Sequence, residues 1–153
     1  MIERDVLMRQ IQQLAQALTN IVQFVSNGEY DAAIAAVDEA CANHLDGSAE
    51  DLRTLPPERL LALCEDGDRF LSDAAQTLAK LLALQGDAHR ERGEPDAAGA
   101  CYSRALLLMR RVLQAPDAPV SWQIGTKIAA LKERLDHHPV GDDMSAALDD
   151  LSH

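Results

Sequence analysis

The chain has 153 residues, 47% of them apolar and only 3% aromatic, with 25 acidic against 14 basic side chains and a formal net charge of −11. That length suits one domain with a core of its own, and a core so poor in aromatics must be built from Ala and Leu on closely packed helices. The acidity argues against nucleic-acid binding, which needs a basic face to release counterions from the phosphate backbone.

No uncharged span is long enough for a bilayer, and the charged opening MIERDVLMRQ has no signal-peptide apolar region. The expectation is a cytoplasmic protein without a membrane role. Cys41, Cys64 and Cys101 are odd in number and widely spaced, with no CxxC pair. They are expected as buried small apolar groups rather than a disulfide framework or a zinc site.

Leu7, Ile11, Leu14, Leu18, Ile21 and Val25 alternate spacings of four and three, the seam of one helix over residues 2–27. Met8, Ala15 and Val22 widen that stripe. Asn27-Gly28 ends it, because both residues tolerate left-handed backbone angles. The stripe is expected to pack on the next two helices, and its early turns can also dock a second subunit. Tyr30, Ala33, Ile34, Val37, Cys41, His44 and Leu45 keep helical spacing, so a second helix returns from the turn at Gly28. Cys41 and His44 share a face three residues apart, which is half of a metal site. No second pair at ligand spacing completes it, and the plainer reading is a core thiol beside a satisfied histidine.

Residues 46–54 are polar and acidic, with Gly47 and Ser48, and are expected as a loop. Pro56-Pro57 opens a short helix through Cys64, with the proline where a missing N–H costs nothing. Asp68 reads as the N-cap of a helix reaching about Arg92, striped by Leu71, Ala74, Ala75, Leu78, Leu81, Leu82 and Gln85. Gly93 breaks it. Pro95 starts another, with Ala98, Cys101, Tyr102, Ala105, Met109, Val112 and Leu113 on one face and an end at Pro116 and Pro119. Val120, Ile124, Ile128, Leu131 and Leu135 mark a sixth helix, a cap on the last hairpin, closed by His137-His138-Pro139. That histidine pair is expected as helix-end polarity rather than a metal site. Residues 139–153 form an acidic tail in which Met144, Ala147, Leu148 and Leu151 stand at helical spacing. It reads as a short helix that docks on its own domain, residues 1–138, or on a neighbour.

Gly28, Glu29, Asp31, Ala32, Ala33 and Ala40 match Gly93, Glu94, Asp96, Ala97, Ala98 and Ala105, 65 residues further on. The two hairpins are copies, and repeated hairpins imply stacked units that cannot bury their faces singly. The second copy resembles the tetratricopeptide repeat over residues 79–112. Gly86, Gly93, Ala98, Tyr102 and Ala105 stand at that family's small and aromatic positions, with Leu82 where Trp is preferred. Residues 14–47 resemble it in part. Gln85 and His89 depart from the usual Leu and Tyr, Ile21 replaces the glycine where the helices cross, and Arg110 stands where proline often ends the repeat. The start, MIERDxLMR, together with the repeat layout, also resembles a family of small bacterial helical proteins with no assigned function.

The periodicity predicts an all-α chain. The resemblance implies a short solenoid of about six helices in antiparallel hairpins with a C-terminal capping helix, in a bacterial cytoplasm. It also implies a peptide-binding concave face along the first helix of each hairpin, in some members with a Lys/Asn clamp on a terminal carboxylate. The corresponding positions of the first copy, Leu18, Val22 and Val25 with Ala15 and Ser26, are apolar and lack the clamp. Those of the second, Lys80, Ala83, Asp87, Arg90 and Glu91, are mixed in charge. An exposed apolar face needs a cover, which the first helix, the tail or a second subunit would supply.

Charge is unevenly divided. Residues 29–78 hold 12 acidic and three basic side chains, net −9, whereas residues 79–134 hold nine basic and six acidic, net +3. An antiparallel homodimer would set the acidic half of one subunit against Arg90, Arg92, Arg104, Arg110 and Arg111 of the other. Candidate interaction residues are therefore Leu7, Ile11, Leu18, Val22, Val25, Arg90, Arg110, Arg111, Met144, Leu148 and Leu151. There is no Ser/His/Asp spacing, no HExxH and no glycine-rich phosphate loop. The leading expectation is a non-enzymatic module for binding a protein partner or itself, without cofactor. The alternative is a ligand- or metal-binding helical protein with a site between helices that uses His44, His89 or Asp87.

Overall fold

A computed structural model describes the backbone of residues 4–44, 49–115 and 121–151, with the side chains of residues 4–8, 10, 11, 44, 49–51, 66, 121 and 122 left out. Eight helices make up nearly all of it: α1 (Arg4–Ser26), α2 (Tyr30–His44), α3 (Ala49–Thr54), α4 (Pro57–Ala62), α5 (Ser72–Glu91), α6 (Pro95–Gln114), α7 (Ser121–Leu135) and α8 (Asp142–Asp150). The all-helical class expected from the apolar spacing is thus observed. Besides the helices there is a two-residue antiparallel ladder, β1 (Glu65–Asp66) with β2 (Arg69–Phe70).

The two sequence copies end their first helices identically. Gly28 and Gly93 both have φ of 76°, the left-handed conformation that side-chain-bearing residues avoid. After α1, Gly28 N–H donates to Val25 O and Glu29 N–H to Phe24 O; after α5, Gly93 N–H donates to Arg90 O and Glu94 N–H to His89 O. That double bond pattern is the Schellman cap, which satisfies carbonyls that the helix itself leaves open. In each copy the next helix then starts on the Glu carbonyl, which accepts from Ala33 N–H or Ala98 N–H.

The hairpins differ where their helices cross. A Cβ on Gly86 would sit 2.8 Å from the Tyr102 ring, so only glycine lets α5 lie against that aromatic. In the first copy Ile21 and Val37 stand at the corresponding positions, and both are fully buried. A branched pair therefore fills the volume that glycine and tyrosine share in the second copy.

Helix α6 is the hub. It packs against α5, α7, α8, α3 and α4, while α1 and α2 pack on each other and on α5. Cys101 to Met109 are all buried, nine consecutive residues and so more than two turns with no solvent face.

Three expectations change. Residues 49–54 were expected within a loop but form α3, because Leu52 reaches the core and the short helix packs between α2 and α6. Asp68 does not cap α5. Gly67, with φ of 63°, turns the chain through the β1–β2 ladder, Leu71 N–H donates to Cys64 O, and the helix begins at Ser72. Burying Phe70 and Leu71 outweighs an exposed aspartate cap, worth about 1 kcal/mol. Among the described residues the helices also number eight rather than about six; α8 is the short tail helix the spacing suggested, and α3 is the addition.

The tail docks on its own chain. Met144 and Leu148 enter the same apolar cluster as α6. Arg110 Nη1 donates to Leu148 O and Gln114 Nε2 to Leu151 O, so side chains of α6 cap the last carbonyls of α8. The segment leading into α8 crosses α6 at Gly99, where an added Cβ would collide with the Pro139 carbonyl oxygen.

Gly99→Ala should accordingly force that segment off α6 and cost about 1–3 kcal/mol, read as a lower midpoint in urea unfolding. Gly125→Ala in α7 meets nothing within 4 Å and should instead raise stability by up to about 1 kcal/mol.

Candidate functional site

A concavity of about 520 Å³ lies between α1, α5 and α7. Helix α1 lines it with Ala15, Leu18, Thr19 and Val22; α5 with Gln76, Ala79, Lys80 and Ala83, flanked by Thr77; α7 with Lys127, Ala130, Leu131 and Arg134; and Met109 of α6 closes the floor. Each of the three main sets follows i, i+3, i+4, i+7. Each helix therefore offers two turns of a single face, about 10.5 Å along its axis.

Buried Leu18, Ala79, Met109 and Leu131 form the bottom, and half-buried Val22 and Ala83 rise from it. Lys80 on α5 and Lys127 on α7 are both exposed. Arg134 keeps 36% of its side chain open to solvent. Among the described residues the lining holds three cations and no carboxylate, in a chain whose net charge is −11.

Arg134 is held from behind. Its Nε lies 3.3 Å from Asp87 Oδ1, and its guanidinium carbon lies 5.8 Å from the Tyr102 ring centroid. The Tyr102 phenol donates to the same Asp87 oxygen, Arg90 Nη1 lies 3.7 Å from it, and the His138 ring meets Tyr102 edge-on at 5.4 Å. Burial, and then the hydrogen bond to Asp87, push the Tyr102 phenol well above its ordinary range. Asp87, an expected ligand residue, is thus occupied in fixing α7 to the α5–α6 hairpin.

His89 is similarly engaged. Arg53 Nη1 lies 3.3 Å from Nε2, and Nδ1 lies 3.0 Å from Glu94 Oε1. An arginine N–H can only donate, so Nε2 accepts and Nδ1 carries the proton given to Glu94. That bond holds the Glu94 carboxyl below the usual carboxylate range. The ring ties the end of α5 to the start of α6 and to α3. His44's side chain lies outside the described residues, and among those described no three His, Cys, Asp or Glu side chains gather as a metal site.

Of the interaction residues expected from the sequence, Leu18 and Val22 line the groove, and Val25 is half-buried one turn beyond it. Leu7 and Ile11 lie on α1 with side chains outside the described set. Arg110 caps α8 and Arg111 stacks 4.3 Å over the Phe70 ring, while Met144, Leu148 and Leu151 form the α8 contact. Arg90, Arg92 and Arg104 also make contacts within the chain: with Asp87 and Glu91, with Asp31 and Glu94, and with the Leu55 and Ala100 carbonyls. Lys127, Ala130 and Arg134 were not anticipated. Their spacing of 3, 4 and 7 was visible, but nothing local says that this face of α7 opens toward α1.

No protein-family model matches the chain, and neither does any curated protein or solved structure.

Burial raises all three thiols from 9.0 to about 12, Cys41 and Cys64 with a further push from Asp38 and Glu65. A group whose folded pKa is raised contributes stability below its unfolded pKa and loses it as pH climbs toward the folded one. Stability in urea should therefore hold level up to pH about 8 and decline steadily above it, as thiols and then the Tyr102 phenol ionise in the unfolded chain only. Tyr102→Phe should shallow the decline above pH about 10.

Proposed function

We propose that this protein is a non-enzymatic interaction module of tetratricopeptide-like build, and that the α1–α5–α7 groove holds a segment of a protein partner. The observation that carries the reading is the convergence of three two-turn helix faces on one apolar-floored channel. Two of those faces belong to the first helices of the matched hairpins, α1 and α5, and the third to α7, the helix that follows them. A channel of about 520 Å³ lies within the range of about 300–1,000 Å³ usual for ligand sites, and its walls match the receptor side of helix-in-groove recognition.

The same geometry speaks against a reactive centre. Among the described residues its lining side chains are Ala, Leu, Val, Met, Thr, Gln, Lys and Arg, which offer no paired acid and base. Self-association through Arg90, Arg92, Arg104, Arg110 and Arg111 is the weaker reading, since all five already serve contacts within one chain. The groove is the better-supported interface, acting in a cytoplasmic setting.

A photo-cross-linking residue placed at Ala83, on the groove wall, should capture discrete protein adducts in living cells, and Val22→Arg should suppress them. The same residue at Ala62, exposed at the end of α4, should not. Equal adduct patterns from both positions would rule the groove out.

A further inference from the structure

We infer that the groove's occupant is an acidic amphipathic helix carrying two carboxylates seven residues apart with an apolar pair between them; this rests on the groove being the interaction site proposed above.

Charge complementarity decides the class. Lys80, Lys127 and Arg134 line the channel, and among the described residues no carboxylate does. Among the described residues Lys80 and Lys127 have no ion-pair partner, and Arg134, which meets Asp87 through Nε, keeps 36% of its side chain open, so all three can meet an incoming carboxylate. The chain as a whole is strongly acidic, so an acidic partner is drawn to places where cations gather without carboxylates among them, as they do around this channel.

The spacing decides the shape. Along α7 the face reads Lys127, Ala130, Leu131, Arg134, with cations at either end of a small apolar pair. The cations stand seven residues apart, about 10.5 Å along the axis. A helix lying alongside presents the same separation at its own i and i+7 positions, with i+3 and i+4 facing the apolar pair. An extended strand covers that distance in about three residues, and its alternating side chains would turn half of its apolar groups away from the floor. Ala15, Ala79, Ala83 and Ala130 leave room for large aliphatic side chains on the partner, and Leu18, Met109 and Leu131 meet them.

The test is fluorescence anisotropy with synthetic helical peptides and the full chain. One peptide carries Glu at i and i+7 with Leu at i+3 and i+4. A second has the same composition with both Glu moved off that face. A third has Lys for Glu, and a fourth a central proline. The first should bind about tenfold or more tighter than the others and should weaken as salt is raised. Lys127→Glu should abolish that preference, and replacing the facing Glu of the peptide with Lys should restore binding to the variant. Lys127 is exposed, so folding is preserved, as circular dichroism would verify. Equal affinity for the Glu and Lys peptides overturns the inference, as does tighter binding of the proline peptide. Displacement of a bound dye by dodecanoate without binding of any peptide overturns it in favour of a lipid. Retained adducts at Ala83 with no binding of the acidic helix would sink this inference alone; absence of both would sink the proposed function as well.

Discussion

The constraint on which this fold depends is that α6 has no solvent face between Cys101 and Met109. A helix buried on every side must be wrapped by others, and α5, α7, α8, α3 and α4 supply the wrapping. The polar residues caught in that stretch are satisfied locally. Ser103 Oγ donates to Ala100 O, and the Arg104 guanidinium donates to the Leu55 and Ala100 carbonyls. Burial lowers the Arg104 pKa from its usual value, the expected cost of placing a cation among apolar neighbours. Its bond to Leu55 O in turn fixes the link between α3 and α4 against the hub.

Tyr102 connects that buried hub to the groove. Its ring occupies the space left by Gly86, its phenol reaches Asp87, and Asp87 holds Arg134 on the far wall. The Asp87–Arg134 pair is partly exposed and contributes modestly as an ion pair. It also ties α7 to α5 beside the channel, whereas the placement of α7 rests on its packing against α6. The core thus reaches the candidate site through Tyr102, Asp87 and Arg134, and lends it Leu18, Ala79, Met109 and Leu131 outright.

How much was legible differs by feature. The caps at Gly28 and Gly93 were readable because left-handed backbone angles demand particular residues, and their shared hydrogen-bond pattern follows from that local chemistry. The stripes of α1, α5 and α6 were readable because burial repeats at the helical period. Helix α3 was hidden because six residues containing a single buried leucine carry too little periodic signal against an acidic, loop-like composition. The start of α5 was misplaced because Asp68 is a good local cap, and the competing term was burial of Phe70 and Leu71 against distant helices.

The sequence by itself determined the helical class, the repeated turns, the burial of the cysteines and half of the groove, Leu18 and Val22 on α1 with Lys80 and Ala83 on α5. Each of these depends on a residue's own conformational preference or on a period within one helix. Only the tertiary structure decided that the tail packs on α6 in its own chain, that Arg110 and Arg111 serve internal contacts, and that Lys127 and Arg134 face α1. These follow from the directions in which separate helices meet, and such directions arise from close packing of whole surfaces rather than from any local signal.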